Sequence, residues 1–243
     1  IKKCKVMLEY LLQEVLFRLY GVLELIYQKQ NNFYQKGQSN FCPFLNSFFM
    51  KSSKISMVSK VILLVVSILF IGSLFVPMWQ IELEAPQYPE GLVLKLHANK
   101  IGGDVEIING LNHYIGMATL HSENFFEFTV LPYVFGAFAL ISLILVFINN
   151  RKTVFAFLIT FVLFVILAGI DFYRWNYEYG HNLDPNAAIK VPGMAYQPPL
   201  IGYKQLLNFG AYSIPDIGGW MLTCAGILLF VVVLKEFKFK KSI

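Results

Sequence analysis

Four apolar stretches constrain this chain more than anything else in it: residues 57–76, 130–148, 154–170 and 217–234. Each comes close to the roughly 20 residues that an α-helix needs to cross the hydrocarbon core of a bilayer. Lys60 is the only charged residue in any of them, and it lies close enough to an end to snorkel. The bulk composition agrees. Only 14% of the 243 residues are charged, 56% are hydrophobic, and the mean hydropathy is +0.57. Soluble domains carry about 25% charged residues. The expected fold is an all-α membrane protein, a four-transmembrane-helix bundle with two structured loops, 78–129 and 171–216, outside the cytoplasm.

Charge placement sets the expected orientation. Lys51, Lys54 and Lys60 precede the first stretch. Arg151 and Lys152 sit in the short turn between the second and third, and Lys235, Lys238, Lys240 and Lys241 follow the fourth. Against these nine basic residues stands only Glu236. The two long loops reverse the balance, with eleven acids and five bases. The positive-inside rule then puts both termini in the cytoplasm and both loops outside. The net charge of +5 is explained by topology, which argues against nucleic acid as a partner.

Residues 1–49 read as a non-native or amphipathic extension. Met50 opens a basic stub, Met-Lys-Ser-Ser-Lys-Ile-Ser-Met-Val-Ser-Lys, that leads into the first apolar stretch as a membrane anchor does. The expected biological start is therefore Met50, and the anchor is expected to stay uncleaved because no A-x-A site follows it. The alternative for Leu8–Tyr27 is an amphipathic helix on a membrane surface.

The interiors of the apolar stretches offer nothing ionisable beyond a lone thiol, only Ser67, Ser73, Ser142, Thr160, Thr223 and Cys224 as polar groups. Pumps and ion-coupled transporters need ionisable groups at that depth. Haem ligation within the membrane wants histidine there, which ranks a quinol-linked electron-transfer subunit last. Cysteine is absent from both loops, so a disulfide framework and a thiolate metal site are excluded there. No GxSxG, P-loop, HExxH or Rossmann glycine pattern occurs, and no enzyme is expected.

Any chemistry should sit in the loops, which hold all four histidines. Gly91–Asn109 reads as a strand pair. Leu92, Leu94 and Leu96 alternate with Val93, Lys95 and His97, and a turn at 99–103 leads to a second strand at Asp104–Ile108. Beyond it, Asn109 or Asn112 could cap a helix that would place His113, Met117 and His121 on one face. Imidazole with thioether suits Cu(I). Packing and hydrogen bonding are the plainer roles for the same three residues, and Gly116 weakens the helix. In the second loop, four prolines between 171 and 202, with Tyr173, Trp175, Tyr177, Tyr179 and Tyr196, indicate a defined structure. His181, Asp184 and Met194 are possible ligands or contacts there, with Tyr179 and Tyr196 as further contacts. The plainer reading is an Asp184-Pro185 turn with His181 bonded locally. Trp79 and Trp175 read as anchors at the lipid interface.

The runs PMWQIELEAPQYPEGL, GDVEIINGLNHYIGM, YGHNLDPNAAIKVPGMAYQPPLIG and KQLLNFGAYSIPDIGG resemble a family of small bacterial multi-pass membrane proteins. Genes of that family tend to lie with those for nitrous oxide reductase and its copper chaperone. The resemblance covers about Lys51 to Lys235. It implies a context, the maturation or support of an exported copper enzyme in denitrification, with the reductase or chaperone as partner. It carries no catalytic residues. A metal-free scaffold or assembly protein is the alternative.

Overall fold

The computed structural model describes residues 54–189, 193, 195–206 and 208–238. The extension 1–49, the start at Met50 and Met194 lie outside the described residues. Among the described residues four apolar helices are present: α1 (Met57–Gly72), α3 (Glu127–Ile148), α4 (Arg151–His181) and α5 (Ile217–Lys238). A fifth helix, α2 (Val105–Ile115), is amphipathic and short. The all-α expectation is wrong. The loops build a five-stranded antiparallel sheet from β1 (Trp79–Ala85), β2 (Tyr88–Leu96), β3 (Ile101–Gly103), β4 (Gly202–Leu206) and β5 (Phe209–Pro215), in the order β3-β2-β1-β5-β4.

Three of the apolar helices, α3, α4 and α5, are long and apolar enough to cross a membrane. The α1 helix stops after 16 residues, short of the expected end at 76. At 1.5 Å per residue it spans about 24 Å, less than a hydrocarbon core of about 30 Å. Ser73 closes it by folding its hydroxyl back onto the Phe70 carbonyl at 2.9 Å, and Pro77 follows. The α4 helix overshoots instead. Its 31 residues reach about 46 Å, so the segment from Asp171 onward projects beyond a span of 154–170 and packs on the sheet.

The helices meet in an aromatic core. Phe70 lies between Phe138 (5.4 Å, stacked) and Phe161 (5.3 Å, edge-on), with Leu63, Val66 and Leu229 fully enclosed around them. Two serines tie α1 to α3 reciprocally. Ser67 donates to the Ala139 carbonyl at 2.9 Å, and Ser142 donates to the Leu63 carbonyl at 2.8 Å. Small hydroxyl residues suit this position because they let two backbones approach while satisfying their own polarity.

At the basic end, away from the sheet, the helices are latched by the one acid the flanks contain. Glu236 is 4% exposed. It accepts from the Ser59 hydroxyl at 2.6 Å, the Ser56 amide at 2.9 Å and Arg151 Nε at 2.9 Å. Asn149, left-handed at φ 55° in the tight α3–α4 turn, accepts from the Ile55 amide at 3.0 Å. One carboxylate thus joins the start of α1, the start of α4 and the end of α5. Removing a buried partner strands the other groups without water. Glu236→Ala is expected to cost about 3 kcal/mol, and Ser59→Ala about 1 kcal/mol. Thermal unfolding of the two purified variants in detergent checks that ranking.

Candidate functional site

The loops form one sheet domain. In β2, Leu92 and Leu94 point inward as the alternation predicts, against Ile81, Ile108 and Leu120. The second half of the predicted hairpin differs. Only Ile101–Gly103 pairs with β2, and Asp104 turns the chain into α2. Asp104 makes that turn with both ends: its amide donates to the Val93 carbonyl and its carboxylate accepts from the Val93 amide, each at 2.9 Å.

Gly116, left-handed at φ 79°, stops α2 and turns the chain away. The continuous helix that would align His113, Met117 and His121 therefore does not form. His113 is exposed in the last turn of α2, Met117 is buried beyond the helix, and His121 is exposed before the 3-10 turn Ser122–Asn124. His181 ends α4, stacked on Tyr177 at 4.0 Å, with Nδ1 2.9 Å from the Tyr177 carbonyl. Among the described residues no three His, Cys, Asp or Glu side chains converge as metal ligands. Burial, with Lys100 beside it, holds His97 below the usual histidine range.

The second loop is laced onto the end of α2. The Asp184 amide donates to the Gly116 carbonyl at 2.8 Å, and the Ile189 amide donates to the Tyr114 carbonyl at 2.9 Å. A Cβ on Gly116 would run into Asp184 and Ala187, so glycine serves both the left-handed turn and this close approach. Asp184 Oδ1 accepts from the Asn186 amide at 2.8 Å, the local turn expected of Asp-Pro. Two asparagines on α2 act as connectors rather than as caps. Asn109 exchanges two hydrogen bonds with the Leu120 backbone, at 2.7 and 3.0 Å. Asn112 Nδ2 donates to the Tyr179 hydroxyl at 2.6 Å.

Trp79 and Trp175 both pack against other protein side chains. Trp79 lies in β1 and donates from Nε1 to Ser213 Oγ of β5 at 2.8 Å. Trp175 stacks between Phe172 (5.8 Å) and Tyr179 (5.2 Å) on the projecting end of α4. Tyr179 is partly buried against the same cluster, and Tyr196 is buried, at 3% exposure. The exposed apolar groups are others. Tyr114 (57%) and Ile189 (50%) sit side by side through their shared backbone bond. On α4, Tyr173, Arg174, Tyr177 and Glu178 line a shallow groove.

Comparison with family models, with curated proteins and with solved structures gives no match for this chain.

Burial pushes the Tyr179 phenol well above the usual tyrosine value of 10, with the Asn112 bond opposing it. A raised folded pKa means stability fully present below pH 10 and lost as pH climbs above it, because the unfolded chain ionises first. The melting temperature is expected to fall more steeply above pH 10 in the parent than in Tyr179→Phe. Parallel pH titrations of thermal unfolding test this.

Proposed function

We propose that this protein is a membrane-anchored docking platform for an exported partner protein. The observation that supports it most is the fusion of two separate loops into one hydrogen-bonded domain with an exposed Tyr114–Ile189 patch. A linker would have no reason to build such a core, whereas exposed aromatic and aliphatic side chains on a rigid frame are typical of interaction sites.

The partner suggested by the resemblance is nitrous oxide reductase or its copper chaperone, and copper is then the partner's cargo. The membrane is the bacterial inner membrane. Basic residues gather at the end away from the sheet (Lys54, Lys60, Arg151, Lys152, Lys235), which supports termini in the cytoplasm and the outer domain outside it.

Affinity purification from membranes of a denitrifying bacterium, with the reductase and the chaperone quantified, tests this reading. One of the two is expected to co-purify, and Tyr114→Asp with Ile189→Asp should weaken retention by roughly tenfold or more. Retention of neither protein contradicts the proposal. So does copper at one equivalent per chain that persists without a partner and is lost when His113, Met117, His121, His181 and Met194 become Ala.

A further inference from the structure

The joint between α4 and the segment 195–200 contains two polar groups with no protein partner among the described residues. Asn176 is fully buried (0% exposed), and neither its Nδ2 nor its Oδ1 is hydrogen-bonded. The Tyr196 hydroxyl is buried and unpartnered as well.

The backbone brings these two residues close together. Asn176 and Gly180 are one turn apart on a single face of α4, about 6 Å. The Gly180 carbonyl accepts from the Tyr196 amide at 2.9 Å. A Cβ on Gly180 would collide with the backbone of Gln197, so the segment lies directly on the helix. Tyr196 is therefore pinned one turn from Asn176, within the reach of its own side chain.

Leaving an amide and a phenol dry in an interior costs several kcal/mol, and a stable domain does not carry such a cost without return. The chemistry of the pair selects the ligand. An amide offers donors and an acceptor, a phenol offers one of each, and neither is charged. A cation would meet the amide N–H groups, and an anion would meet Oδ1. A small neutral molecule that both donates and accepts satisfies every atom. We propose that the joint is a built hydration site, in which at least one ordered water bridges the Asn176 amide and the Tyr196 hydroxyl. Buried waters typically make about three hydrogen bonds to groups of this kind.

The sign of a stability change tests the site in the full-length chain. If the joint were dry, Tyr196→Phe and Asn176→Leu would remove unpaired polar atoms and raise the melting temperature. With a bound water, each substitution strips the water of a partner and lowers the melting temperature by roughly 2–6 °C. Tyr196→Phe removes a single oxygen, so it stays informative if Asn176→Leu does not fold. A structure that resolves waters should show one within hydrogen-bonding distance of both groups. A rise in melting temperature for Tyr196→Phe overturns the proposal, as does a direct Asn176–Tyr196 bond with no intervening density.

Discussion

Six residue pairs join β1 to β5, from Trp79–Pro215 to Glu84–Gly210, and the sheet domain hangs on that seam. It pairs segments about 130 residues apart in the chain and is flanked on either side by a hairpin of one loop only, β1–β2 and β5–β4. Without it, each loop would be a two- or three-stranded fragment over the membrane, marginal on its own in water. The seam also welds the sheet to the helices. The Asp216 amide donates to the Met78 carbonyl at 3.1 Å and the Gly218 amide to the Pro77 carbonyl at 2.8 Å, where α1 leaves the bundle and α5 enters it. A Cβ on Gly218 or Gly219 would strike the Pro77 and Met78 carbonyls. The glycine pair that blurs the start of the fourth apolar stretch is thus what lets α5 cross beneath β1.

Polar groups are divided by depth. In the middle of the helices they are hydroxyls that bond a backbone carbonyl and leave no charge behind: Ser67, Ser142, Thr160 and Thr223. At the basic end, Glu236 gathers three donors. At the sheet end, asparagines take over, with Asn109 and Asn112 holding α2 to the 118–120 segment and to Tyr179. Amides serve well there because each supplies a donor and an acceptor without the desolvation cost of a charge.

The apolar helices were legible in the sequence because lipid imposes a single demand, length without charge, that local composition satisfies. The inward set Leu92 and Leu94 was legible from its period of two. The same period runs through β1 in Ile81, Leu83 and Ala85, against Gln80, Glu82 and Glu84, and it was available to be read. What hid it was Trp79, whose place just past an apolar stretch suggested a lipid anchor. Pairing of β1 with β5 has no local signature, because register between distant strands is set by the assembled sheet. The copper-ligand alignment failed on one residue. Glycine weakens a helix by propensity alone, but Gly116 goes further and ends α2 in a left-handed turn against Asp184. Glu236 looked like a stray acid among lysines, and only the folded bundle shows the donors around it.

The β1–β5 seam can be tested directly with paired cysteines in a chain freed of Cys4, Cys42 and Cys224. Directly paired residues in an antiparallel ladder have Cα atoms about 4.5–5.5 Å apart, within disulfide range. Glu82 faces Tyr212 across the seam, and Tyr203 lies one strand further out, at roughly 10 Å from Glu82. Glu82→Cys with Tyr212→Cys is predicted to oxidise to a cross-link in native membranes, while Glu82→Cys with Tyr203→Cys is not. Equal cross-linking of the two pairs, or none in the first, would contradict a single sheet domain built from both loops.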